Sequence, residues 1–184
     1  MTATLDDPAI KIRVTITFLE TSKKPARAPR KIHAENVLIM RALQPTVSFY
    51  RFLYNTVGQP WLWYERRQMG DEALQQIIQH PQVEVYVLYA GGVPAGYAEL
   101  DWRQTPEVEL AYFGLMPEFI GKGLGTLLID EMHEQVWMRQ PQRFWLHTCT
   151  LDHPQALAFY QRAGFVPYKQ EVKIIDDPRI LGLM

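Results

Sequence analysis

The stretch FGLMPEFIGKGLG, Phe113 to Gly125, carries the clearest chemistry in the sequence. An apolar run passes through Pro117 into glycines at alternate positions, Gly121, Gly123 and Gly125, which open an amphipathic segment. A helix start presents unpaired N–H groups and the positive end of the helix dipole, and glycines let a phosphate approach that backbone. The spacing is G-x-G-x-G, so neither the phosphate loop of nucleotide hydrolases nor the dinucleotide fingerprint is spelled here. A pyrophosphate cradle and a glycine-softened helix start without a ligand both fit these residues. A second constellation is His147 and Cys149, two apart in RFWLHTCT and so on one face of a strand, where a Cys–His nucleophile pair is conceivable. A zinc site from His147, Cys149 and His153 lacks a fourth ligand at recognised spacing.

These residues need elements to hold them. Ile10, Ile12, Val14, Ile16 and Phe18 alternate with polar residues, which predicts a strand with one buried face. A proline-containing basic loop separates it from a second extended run beginning at Glu35. Thr46 to Val57 and GDEALQQIIQHP read as helices, the first stopped by Gly58 and the second started by Asp71. VEVYVLYA, PAGYAELDW and VELAYFGLM, joined by Gly91-Gly92 and by QTPE, form an antiparallel meander. A helix from Leu124 to Trp137, the strand RFWLHTCT, a helix closed by Gly164 and the extended FVPYKQEVKII follow. The sum is a mixed α/β fold, a mostly antiparallel sheet flanked by helices, with an extra N-terminal strand. Residues 1–34 read as an extension carrying that strand, and 35–184 as the main domain.

The order of elements and two motifs resemble the GNAT superfamily of N-acetyltransferases. Its hallmark [Q/R]-x-x-G-x-[G/A] is matched by Gly123 and Gly125, and N-x-x-A-x-x-x-Y-x-x-x-G-F by His153, Ala156, Tyr160, Gly164 and Phe165. The resemblance covers about 140 residues. Ile120 stands where the family prefers Arg or Gln, and His153 where it often has Asn. Ile120 removes a side-chain contact to phosphate and leaves the backbone donors.

The resemblance implies transfer of an acetyl group from acetyl-CoA, used as cosubstrate without a metal, to a small-molecule or peptide amine. Phe113, Gly114 and Leu115 would pair with the pantetheine arm. Ile120, Gly121, Lys122, Gly123, Leu124 and Gly125 would form the phosphate turn, with Arg162 reaching the nucleotide end. Gly114 suits a bulge or a close backbone approach, or else relieves core crowding. Glu109 matches the strand position of the family's proton-accepting glutamate, ahead of Glu99 and Glu107, and would act directly or through a water. Tyr160 is the equivalent of its proton-donating tyrosine. Trp61, Trp63 and Tyr64 lie where the family shapes its acceptor pocket. A non-catalytic acyl-CoA sensor on the same fold is the alternative.

Composition bounds the rest. With 47% apolar and 21% charged residues and a net charge of −1, the 184-residue chain fits one globular core. The first 34 residues carry seven basic against three acidic groups, including Lys23, Lys24, Arg27, Arg30 and Lys31, without interleaved aromatics, so nucleic acid is not the expected partner. No export signal or membrane span is spelled, and the single Cys149 agrees with a reducing, cytoplasmic setting. An exposed edge on the N-terminal strand makes a homodimer conceivable.

Overall fold

The computed structural model describes residues 11–26 and 36–183. Ile10, Arg27, Arg30, Lys31 and Glu35 lie outside the described residues. Along the chain come β1 (Lys11–Thr21), β2 (Val37–Ala42), α1 (Val47–Gly58), α2 (Asp71–Ile78), β3 (Val83–Ala90), β4 (Val93–Asp101) and β5 (Glu107–Leu115). They are followed by α3 (Leu124–Trp137), β6 (Arg143–Cys149), α4 (Ala156–Arg162) and β7 (Val166–Asp176). The strands form one seven-stranded sheet in the order β2-β3-β4-β5-β6-β1-β7. Every neighbouring pair is antiparallel except β5 and β6.

Helical spacing explains the layers. In α1, Tyr50, Leu53, Tyr54 and Val57 recur at i, i+3, i+4 and i+7, and each is at most 1% exposed. The Thr46 hydroxyl accepts the Phe49 N–H at 3.3 Å and starts that helix. This stripe, with Leu74 and Ile78 of α2, packs on Val85, Val87 and Tyr97 of the sheet. On the opposite face, Leu124, Leu128, Met132 and Val136 of α3 pack with Leu100, Val108, Phe144, Leu146 and Phe165. Gly70 rather than Asp71 caps α2, and Asp71 is its first helical residue, paired with Arg51 at 2.7 Å.

The N-terminal strand sits inside the sheet, between β6 and β7. It pairs within its own chain on both sides, Ile16 opposite Cys149 of β6 and Val14 opposite Lys173 of β7, so it offers no edge to a second subunit. Its buried residues also alternate differently from the simple apolar count. Val14 is buried as expected, on the face that lines a cleft with the half-buried Ile16, while Thr17, Leu19 and Thr21 are buried facing the other way, Leu19 in the α3-side core. Both edges of β1 are paired, and the face that turns toward the α3 side takes in Thr17 and Thr21 along with Leu19. Of the basic run that follows, Lys24 pairs with Glu134 at 2.6 Å. Among the described residues, no helix is long and apolar enough to cross a membrane.

Candidate active site

Strands β5 and β6 run side by side only briefly. Their parallel ladder holds Glu107 to Arg143, Val108 to Phe144 and Glu109 to Trp145, and then stops. Beyond it the strands diverge around a cleft of about 530 Å³. Residues 110–115 of β5 all line this cleft, while the other edge of the strand stays paired with β4 through Leu115. One edge of β5 therefore offers main-chain donors and acceptors to an extended guest.

The local irregularities of β5 fall differently from the glycine reading. The register shift against β4 lies between Tyr112 and Leu110, so the bulged residue is Ala111. Gly114 serves close packing instead: a Cβ there would sit 2.4 Å from Val57 Cγ1 of α1. At the far end of the cleft, Gly121 and Gly123 have φ of 81° and 79°, a left-handed backbone that disfavours other residues. Gly123 caps α3, and its carbonyl accepts the Thr126 N–H at 3.1 Å, leaving the earliest N–H groups of the turn available.

Of the residues singled out in this turn, Ile120, Gly121, Gly123 and Gly125 line the cleft. Leu124 does not; it is 5% exposed within the α3-side core. Lys122 also stays outside, its ammonium 5.2 Å from the Phe119 ring centroid. Arg162, in the last turn of α4, lines the cleft, as do Phe113, Gly114 and Leu115.

The middle of the cleft holds Tyr160, packed by the rings of Phe113 at 6.0 Å and Phe159 at 5.4 Å. Burial, and secondarily Asp152, hold its phenol well above the ordinary tyrosine range, so it stays protonated in alkaline solution. Asp152 is fixed by the Cys149 N–H at 2.9 Å, the Thr148 hydroxyl at 2.7 Å and the Trp63 indole N–H at 3.4 Å. His153 accepts the Gln155 N–H at 3.1 Å and meets the Trp61 ring edge-on at 5.1 Å.

The other wall is the loop between α1 and α2, where Trp61, Trp63, Tyr64 and Glu65 line the cleft. Three arginines tie this loop down. Arg51 donates to the Met69 carbonyl at 2.7 Å, Arg67 to the Trp63 carbonyl at 3.0 Å, and Arg66 reaches Glu99 at 2.7 Å. Glu99 is fully buried and also accepts the Tyr50 hydroxyl, so it serves the loop and not the cleft. Glu107 pairs with Arg143, outside the cleft. Trp63 is wedged between Tyr54 at 5.5 Å and Tyr112 at 5.2 Å, which makes it part wall and part core.

Glu109 is not on the cleft wall. Its carboxylate lies 3.5 Å from Nδ1 of His147, and His147 lines the cleft with Cys149. The hydrogen bond to Glu109 raises the imidazole above its ordinary value. The neighbouring thiol behaves in the opposite sense from a nucleophile: burial, then Asp152, push Cys149 up to about 11. Among the described residues no three His, Cys, Asp or Glu side chains gather as a metal site. Sequence reasoning missed Asp152 and the apolar floor of Val14, Ile16 and Ile175. The even spacing of Val14 and Ile16 was visible, but the β6 and β7 partners that bring them to the cleft were not.

A splayed pair of strands with a glycine-capped helix at the mouth suits an extended ligand that ends in an anion. Residues 49–165 match the acetyltransferase (GNAT) family, and the chain belongs to that family of acetyl-transferring enzymes. A mycothiol acetyltransferase of Acidothermus cellulolyticus is 37% identical over 71 residues, 39% of this chain and 20% of that protein. The chain thus spans about a fifth of the length of that curated relative. The fold resembles a GCN5-related N-acetyltransferase from Sphaerobacter thermophilus, with TM-score 0.65, 16% identity and coverage of 89% and 51% of the two chains. It also resembles an aminoglycoside acetyltransferase from an uncultured soil metagenomic sample, with TM-score 0.58, 14% identity and coverage of 69% and 86%.

Proposed function

We propose that this protein is an N-acetyltransferase that takes an acetyl group from acetyl-CoA and passes it directly to a small-molecule or peptide amine. The observation that carries the reading is the open edge of β5, residues 110–115, running toward the turn that Gly121 and Gly123 shape. An extended amide-bearing arm fits the open edge, and a pyrophosphate fits the N–H groups of the turn. Gly121, Gly123 and Gly125 supply that approach with Ile120 beside them, and Arg162 supplies charge toward the nucleotide. Lys122 contributes long-range charge only, and Leu124 holds the turn from the core side.

Tyr160 is the proton donor to the departing thiolate, and Glu109 belongs to the proton-accepting side. Trp61, Trp63 and Tyr64 shape the acceptor end. The single cysteine supports a cytoplasmic setting.

Calorimetry and thermal unfolding with CoA test the reading. A ligand at a hundred times its Kd stabilises by about 2.7 kcal/mol, which raises Tm by roughly 5–11 °C for a domain of this size. Acetyl-CoA with a panel of amines should then release free thiol. A protein that neither warms its melting curve with saturating CoA nor gives a binding heat would refute the proposal.

A further inference from the structure

His147 stands where the β5–β6 ladder has just ended, two residues beyond Trp145, the last β6 residue paired with β5. Its side chain is 46% exposed and lines the cleft, and its Nδ1 faces the Glu109 carboxylate at 3.5 Å. That partner assigns the proton to Nδ1 and leaves Nε2 as the lone-pair nitrogen. The groups around it are mostly acidic. Glu109 approaches from β5, Asp152 from the β6–α4 loop and Glu65 from the α1–α2 loop. From β1 it meets the Phe18 ring at 5.8 Å, over which Lys169 of β7 lies, itself paired with Glu171. Lys173 of β7 also lines the cleft. Glu65 lines the cleft with the neutral Tyr54 hydroxyl, at 3.1 Å, as its hydrogen-bond donor.

We infer that His147 takes the proton from the acceptor, with Glu109 as the positioning residue behind it, and that the acceptor is an aliphatic amine arriving as an ammonium ion beside Glu65. This rests on the acetyl-transfer reading above. In the step itself, an N–H bond of the ammonium breaks and its proton passes to Nε2 of His147. The freed lone pair forms the C–N bond at the carbonyl carbon of the CoA thioester. The C–S bond breaks with its electrons going to sulfur, and the proton shed by the acylated nitrogen reaches that sulfur through the Tyr160 hydroxyl. His147 returns its proton to solvent. Glu109 holds the ring, fixes its tautomer and stabilises the imidazolium.

The sign of the pH dependence follows. Glu109 raises the imidazole above its ordinary value of about 6.5, so the neutral, proton-accepting form prevails only above that raised value. The rate of the bound complex should rise with pH through it. Glu109→Gln removes the cause of the shift, so the acidic limb should move to lower pH and the plateau should fall, because the base is weaker.

The experiment measures kcat against pH for wild type, His147→Gln and Glu109→Gln, with a lysine-type amine and with a peptide α-amine, alongside CoA affinity. His147→Gln should lose about 10²- to 10⁴-fold at pH 7, with CoA binding unchanged, and its limb should move from the imidazole to the acceptor's own pKa. The deficit should close near pH 8 for the α-amine and persist to about pH 10 for the lysine-type amine, following their own pKa values of about 7.7–8.0 and 10.4. Retained CoA affinity separates lost chemistry from lost fold. Glu109→Gln, which keeps the histidine, carries the same test through the position of the limb. A His147→Gln protein with wild-type kcat and limb overturns the assignment, as does a limb that Glu109→Gln abolishes and His147→Gln preserves. A wild type that releases no thiol with any amine fails earlier, and takes the transfer reading with it.

Discussion

Gly114 gives a prediction whose magnitude comes from a single interatomic distance. Alanine at this position would put a methyl carbon 2.4 Å from Val57 Cγ1, where carbon pairs rest at about 3.5–4.0 Å. Either β5 or α1 must move by about 1 Å. The next atoms, Trp63 Cη2 at 3.7 Å and Val57 Cβ at 3.9 Å, are at ordinary contact, so the conflict is with one methyl group. Overpacking of this kind costs about 1–3 kcal/mol, which lowers Tm by roughly 2–12 °C in a chain of this length. Val57→Ala deletes the offending methyl. The double variant should therefore be more stable than the sum of the two single losses, by about 1–2 kcal/mol of coupling. The displacement falls on the strand whose free edge borders the cleft, so CoA affinity should drop in Gly114→Ala and recover in the double variant. Denaturant unfolding and CoA calorimetry on the four proteins read both effects. Additive losses, or an unchanged Tm in Gly114→Ala, would show that the contact does not constrain β5.

Three further outcomes are expected. Gly123→Ala forces a side chain into a left-handed backbone at about 1–2 kcal/mol, and should weaken CoA binding more than it lowers stability; equal effects on both would argue against the turn as a phosphate site. Tyr160→Phe should keep CoA affinity and lose turnover by about 10²- to 10⁴-fold, and wild type should show no alkaline limb from this phenol near pH 10, because burial holds it protonated. Cys149, pushed up to about 11, should react with a disulfide reagent slowly in the folded state. At pH 8 about 0.1% would be thiolate, against about a quarter for a free cysteine of pKa 8.5, a roughly two-hundred-fold difference that unfolding should abolish.

Much of the fold was legible because its signals are local. The i, i+3, i+4, i+7 stripe of α1 and the Gly91-Gly92 hairpin report their elements without reference to the rest of the chain. Neighbourhood was not legible. Alternation marked residues 10–18 as a strand but could not say that β6 and β7 would close on both its edges. The same limit governs the site. Motif spacing placed the glycine turn and Tyr160, and the structure gathers Phe113, Gly114, Leu115, Gly121, Gly123 and Tyr160 around one cleft. Glu109 is different, because its position depends on the parallel register that sets it opposite Trp145 and within reach of His147. Parity along a strand gives a face, whereas register between strands gives a partner.

The interior seat of β1 bears on how the molecule is made. Residues 11–21 are translated well before residues 143–176, yet these are the segments that flank them in the sheet. Through most of synthesis β1 has two open edges and apolar side chains with nothing to cover them, a state prone to wrong pairing. The meander of β3, β4 and β5 closes through near neighbours in sequence, while the β6-β1-β7 half joins segments more than 120 residues apart and should form last. Val14 and Ile16 reach the cleft only at that moment. A nascent chain released before β7 would thus hold its glycine turn and its aromatic loop but lack the floor of the cleft, which closes only with the final strand.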